Sequence, residues 1–94
     1  MKEPVPDPSE ARGYREKRMK IRAWRRGTKE MDLILGGYAD VHLGALSDDE
    51  LAEFEQLLSE NDNDLYGWVN GRGPYPAEFE PQLQRIRAYL AEKT

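Results

Sequence analysis

The densest set of potential ligands in the chain is acidic, with Asp48, Asp49, Glu50, Glu53 and Glu55 lying close together. Their spacing is not that of a calcium loop, and carboxylates in the first turn of a helix are already favoured by its macrodipole. They read as helix-start residues. Asn61-Asp62-Asn63-Asp64 has the acid and amide alternation of half a calcium loop, yet lacks the Gly at the sixth position and the Glu at the twelfth that such a loop needs. It reads as a capping segment. Gly71-Arg72-Gly73 is too short to cradle a phosphate and runs into proline-bearing sequence, so it is a turn. Cys is absent, which removes disulfides, thiolate zinc, iron–sulfur clusters and thiol nucleophiles together. The single His, His42, falls near a helix end as a surface or packing residue. Neither a catalytic residue nor a metal site is expected.

Trp24-Arg25-Arg26-Gly27-Thr28-Lys29-Glu30 is different in kind. A bulky aromatic and two guanidinium groups meet a flexible Gly, and within one turn Glu30 can accept a bidentate bond from Arg26 or from a partner's Arg. Gly27 leaves bare backbone that a partner can approach closely and that a larger side chain would block. The same residues would also make an ordinary helix–turn–helix corner, with Glu30 favoured by the dipole.

The elements that must position this corner belong to a small chain. Ninety-four residues, 38% hydrophobic and 34% charged with a mean hydropathy of -0.88, supply one core and exclude a second domain. No run is long enough to span a membrane. The start, MKEPVPDP, has neither an apolar signal region nor the Arg-rich character of a transit peptide, which points to a cytoplasmic protein. Charge is segregated: residues 12–29 hold nine Lys or Arg against one acid, a balance of +8, whereas residues 30–71 hold eleven acids and no Lys or Arg. A one-sided basic segment fits an anionic partner, or it neutralises the acidic helices within the fold. This composition favours a binding module over an enzyme.

Pro4, Pro6 and Pro8 predict a disordered tail over residues 1–8, followed by one domain over residues 9–92. Ser9 is placed to cap a first helix running to about Arg25, with Tyr14, Ile21 and Trp24 on its apolar stripe and Met19 and Ala23 flanking it. Gly27 closes that helix and Thr28 caps the next. Residues 31–43 fit either a hairpin turning at Gly36-Gly37 or a helix with Met31, Ile34, Leu35, Tyr38 and Val41 inward. With no other strand available to pair, helix is the assignment. Ser47 to Glu50 forms a capping box, with Leu46 and Leu51 as its hydrophobic staple and Leu51, Phe54, Leu57 and Leu58 as the inner face. A short helix from Asn61 or Asp62 carries Leu65, Trp68 and Val69 and is capped near Gly71; the last begins near Pro81 and carries Leu83, Ile86 and Leu90, with Phe79 packing before it. The fold class is all-α, a compact bundle of five short helices.

Arg26-Gly27-x-x-Glu30, within Lys17-Arg18-Met19 and the run from Trp24 to Gly36, resembles the signature of the succinate dehydrogenase flavinylation factors, or FAD assembly factors, of bacterial type. The resemblance continues through Tyr38-Ala39-Asp40, Leu46-Ser47-Asp48, Glu50-Leu51-x-x-Phe54-Glu55-x-Leu57-Leu58, Asp62-x-Asp64-Leu65-Tyr66-x-Trp68 and Gly71. It departs at Lys20, where an apolar residue is expected, and at Gly37, where a bulkier one is.

The resemblance implies a five-helix bundle and a job: binding the flavoprotein subunit of succinate dehydrogenase, or of fumarate reductase, and promoting covalent attachment of FAD to it. The family's signature maps onto Arg26, Gly27 and Glu30, and the same corner adds Trp24, Arg22, Lys29 and Asp32 to the implied partner-binding set. Such a factor acts as a chaperone and a monomer. No Gly-rich dinucleotide fingerprint is present, so no FAD site is assigned to the chain itself. The competing class is a small helical nucleic-acid-binding or antitoxin-like protein that uses the basic first helix as its footprint; the acidic segment would oppose phosphate.

Overall fold

Helix starts set the architecture. In the computed structural model, which describes residues 11–93, Thr28 Oγ1 accepts from the Met31 N–H at 3.2 Å and so opens the second helix. Ser47 and Glu50 exchange reciprocal side-chain bonds, Ser47 N–H to Glu50 Oε1 at 2.9 Å and Glu50 N–H to Ser47 Oγ at 3.1 Å, which is the expected capping box. Asn61 Oδ1 accepts from the Asp64 N–H and opens the fourth helix. Pro81 falls in the first turn of the fifth, where its missing N–H costs nothing. The elements are α1 (Arg12–Ala23), α2 (Lys29–His42), α3 (Asp48–Leu57), α4 (Asp62–Val69) and α5 (Glu80–Lys93), with 3-10 turns at Leu43–Ala45 and Ala77–Phe79. No strand occurs among the described residues.

Helix α1 lies on α2, α2 on α5, and α5 also packs on α3 and α4. Their shared core holds Met19, Met31, Leu35, Tyr38, Leu43, Leu51, Phe54, Leu57, Leu65, Leu83 and Ile86, each 2% exposed or less. Leu46, the staple residue, is buried with Leu51. Gly71, at a φ of +77°, ends α4 as the sequence predicts, with the Arg72 N–H returning to the Gly67 carbonyl at 2.8 Å.

The face of α1 differs from the expected one. Tyr14 and Ile21 are 62% and 49% exposed, while Met19 and Ala23 are fully buried. Arg12, Glu16, Met19 and Ala23 follow a 4-3-4 spacing on one face, opposite Tyr14 and Ile21. Small Ala23 lets α2 approach, and this orientation brings the flanking arginines onto the acids of α3. The helix begins at Arg12 after an uncapped Ala11 and ends at Ala23, short of Arg25; Ser9 and the expected tail lie outside the described residues. Val41, expected inside, is exposed, and Trp68 and Leu90 are only partly buried.

The two glycines inside α2 are both sites of close approach. A Cβ on Gly36 would fall inside the Trp24 indole, and one on Gly37 would lie 2.5 Å from the Tyr89 hydroxyl. The departure from the family pattern at Gly37 thus has a packing reason: Tyr89 occupies the space that a bulkier residue would fill.

Candidate functional site

The corner between α1 and α2 is built around an inward-turned arginine. Arg26 is only 10% exposed at its side chain, and its guanidinium makes three bonds across the molecule: Nε to Asp62 Oδ1 at 2.8 Å, Nη1 to the Leu58 carbonyl at 2.6 Å and Nη2 to the Glu60 carbonyl at 2.7 Å. The Leu58 carbonyl is at the C-terminal end of α3 and the Glu60 carbonyl lies in the connection after it, so Arg26 ties down the α3–α4 connection while pairing with the first residue of α4. Of the two donors open to Glu30, Arg26 or a partner's Arg, Arg26 is therefore taken up by a clamp on the α3–α4 junction. Nothing in the sequence between Arg26 and Glu30 foretold an acceptor 36 residues away.

The other end of the corner is closed by Asp32, whose Oδ1 accepts from the Arg26 backbone N–H at 2.6 Å. Asp32, assigned to the partner surface from the sequence, thereby fixes the turn between the helices. Trp24, also assigned there, lies against Gly36 and donates its indole N–H to Asp40 Oδ2 at 3.1 Å. It remains 38% exposed. Arg22 shares the Glu55 carboxylate of α3 with Arg18, at 3.8 and 2.9 Å respectively. Arg12 bonds Glu16, Asp48 and the carbonyls of Leu43 and Leu46. Arg12, Arg18 and Arg22 of the +8 segment thus pair with acids of α3, the internal one of the two roles open to that segment.

Gly27, Lys29 and Glu30 present outward. Gly27 has a φ of +105°, the left-handed region that disfavours side chains, and nothing lies within 4 Å of where its Cβ would be. Lys29 and Glu30 are exposed, and among the described residues neither side chain has a hydrogen-bond or ion-pair partner. Glu30 lines a cleft of about 220 Å³ with Thr28, Met31, Asp62, Asn63 and Tyr66, where the N-terminal ends of α2 and α4 meet. Beside Trp24, an apolar groove of about 600 Å³ runs between α2 and α5 past Leu33, Ile34, Val41 and Leu90. Leu33 and Val41 are 53% and 63% exposed. The sequence reading missed this groove because Val41 follows the helical period of the core residues.

Of the seven residues singled out from the sequence, Gly27, Lys29 and Glu30 are open at the surface, Arg26 and Asp32 hold the turn from within, Trp24 lies against α2, and Arg22, half-exposed, pairs with Glu55 of α3. The described residues contain no cluster of His, Asp or Glu able to hold a metal and no helix long and apolar enough to cross a membrane.

The five-helix bundle leaves the turn at Gly27 bare and exposed. The chain belongs to the flavinator of succinate dehydrogenase family, whose pattern matches residues 17–90. It is 37% identical over 73 residues to the FAD assembly factor SdhE of Acetobacter pasteurianus, covering 77% of this chain and 67% of that protein. It is 41% identical over 67 residues to the mitochondrial succinate dehydrogenase assembly factor 2 of Meyerozyma guilliermondii, covering 71% of this chain and 50% of the relative. With the corresponding Drosophila grimshawi protein it shares 32% over 89 residues, 88% of this chain and 60% of that one. The chain therefore spans half to two thirds of the length of these relatives.

Proposed function

We propose that this chain is an assembly factor that binds the flavoprotein subunit of succinate dehydrogenase, with that of fumarate reductase as a second client, and promotes covalent attachment of FAD to it. Family membership and relatives named as FAD or succinate dehydrogenase assembly factors support the reading. The structural observation that carries it is the division at the signature: Arg26 is locked inward while Gly27 and Glu30, one turn on, are open and unpartnered. A turn held this firmly and left bare suits a flush protein contact, with Glu30 meeting a cation or backbone donor of the client.

The chain acts without chemistry of its own, as a monomer in the cytoplasm. Joining a His to the flavin requires negative charge to be stabilised on the isoalloxazine and the His to be held in attack geometry, and the client's own site supplies both once its parts are correctly disposed. A partner that binds this disposition best shifts the population towards it. FAD is here the client's cargo. The nucleic-acid reading loses ground because Arg12, Arg18, Arg22 and Arg26 are already engaged by internal acceptors.

The test is co-purification of the flavoprotein subunit with a tagged copy of the chain, compared with the Glu30→Ala variant. Capture by the wild type and at least about fivefold weaker capture by the variant are expected, since a client donor left unpaired on binding costs about 1 to 3 kcal/mol. Equal capture by both would remove Glu30 from the contact, and no capture by either would end the reading.

A further inference from the structure

The basic segment divides by partner. Arg12, Arg18, Arg22 and Arg26 are bound to acids of α3 and α4, whereas Lys17, Lys20 and Arg25 have no hydrogen-bond or ion-pair partner among the described residues. Lys17 and Arg25 are exposed, beside the two apolar side chains that α1 turns to solvent, Tyr14 and Ile21. Tyr14, Lys17 and Ile21 follow one another at three and four residues, which sets them on one helix face, opposite buried Met19 and Ala23. They share a pocket of about 210 Å³ with Arg18 and Arg22, and no acid lines it.

Size and charge give this face to the client. A specific, lasting protein contact covers roughly 800 Å² and about 20 to 30 residues on each side. Gly27, Lys29, Glu30 and the cleft beside them supply far fewer, so the contact at the corner has to run on over an adjoining surface. The groove between α2 and α5 carries one acid and one cation, Asp40 and Lys93, and so selects no charge in a partner. The outer face of α1 leads into Arg25, two residues before Gly27, and its unpaired charges, Lys17 and Lys20, are both positive. Tyr and Arg are enriched in the cores of protein interfaces, and apolar side chains set among cations are complementary to an apolar patch edged by carboxylates. We propose, resting on the assembly reading, that the outer face of α1 is a second part of the client contact and docks an apolar patch of the flavoprotein subunit bordered by Asp and Glu.

Association and dissociation rates of the purified flavoprotein subunit on the immobilised chain separate charge from packing. Lys17→Glu should slow association about fivefold at low salt, with the difference closing near about 1 M salt. Arg72→Glu makes the same change in net charge at an exposed site beyond the far end of α4 and should leave association unaltered. Ile21→Ser should speed dissociation about fivefold with little effect on association. Lys17 and Ile21 are exposed, so both variants should keep the helical circular dichroism and the urea midpoint of the wild type. Wild-type rates in folded Lys17→Glu and Ile21→Ser would remove α1 from the contact, and equal slowing by Arg72→Glu would leave net charge as the cause. Sedimentation of the chain with phosphatidylcholine–phosphatidylglycerol vesicles, or a dimer of the chain alone, lost in Ile21→Ser while the client rates stay unchanged, would give the face to lipid or to a second copy and likewise overturn the assignment. No binding by the wild type would end the assembly reading itself and this contact with it, an outcome distinct from unchanged rates in the variants.

Discussion

Arg26 Nε bonds Asp62 Oδ1 at 2.8 Å across 36 residues of sequence, tying the turn after α1 to the first residue of α4. The same guanidinium closes the end of α3, so three helix termini depend on one side chain. The Arg of the signature is thereby engaged within the fold, whereas the Gly and Glu beside it lie open at the surface.

That division separates two variants. Arg26→Ala leaves Asp62 and two carbonyls without their donor in a nearly buried setting and should destabilise the protein by about 3 kcal/mol. Glu30→Ala removes only a first-turn carboxylate and should cost well under about 1 kcal/mol. Urea denaturation of both variants reads the difference; equal losses would mean that Glu30 has a structural partner or that Arg26 does not.

A second expectation concerns the bare backbone under Trp24. Gly36→Ala gains about 1 kcal/mol of helix propensity but forces the indole off α2, an overpacking cost of about 1 to 3 kcal/mol. The net change should be a modest destabilisation, with Trp24 losing its bond to Asp40 and its emission moving to the red. An unchanged emission spectrum would show that the indole does not lie where Gly36 admits it.

Acid stability should depend on Glu50. The Ser47 backbone N–H, chiefly, together with Arg85 and the Ser47 hydroxyl, holds its carboxyl below the usual range. A carboxyl lowered in the folded state stabilises fully above the ordinary glutamate value of about 4 to 5 and loses that contribution as pH falls through its lowered value. Glu50→Gln should therefore narrow the stability difference between neutral and acidic pH, measured by thermal unfolding across that window. An unaltered acid limb would assign it to other groups, Glu80 first, whose carboxyl is also held low by the Tyr75 hydroxyl and Gln84.

Much of the fold was legible because its signals are local. Ser47 and Glu50, Thr28, Asn61 and Gly71 sit at helix ends where side-chain and backbone chemistry leaves few choices, and the core leucines of α3 to α5 follow a plain helical period. The face of α1 was not legible. The stripe read there, Tyr14, Ile21 and Trp24, gives way to the flanking Met19 and Ala23, an orientation in which Arg12, Arg18 and Arg22 meet Asp48 and Glu55 of α3. At the corner, the positive φ of Gly27 could be read from residue type, whereas the inward turn of Arg26 and the anchoring of Asp32 and Trp24 depend on partners that no short window contains. Gly36 and Gly37 read as a possible hairpin turn because a close approach between helices and a tight turn ask for the same residue.

The most direct measurement is made on Gly27→Arg. A long charged side chain there meets open solvent in the free protein, with backbone strain on the order of 1 kcal/mol from the left-handed φ, so the bundle should keep its helical circular dichroism. Against a flavoprotein lying flush on the turn, the same side chain blocks contact. Co-produced with this variant, the flavoprotein subunit should carry little covalent FAD, seen as lost flavin fluorescence in a denaturing gel, while the wild-type chain restores it. A folded Gly27→Arg protein beside a fully flavinylated subunit would contradict the assignment of Gly27 and Glu30 as the working surface.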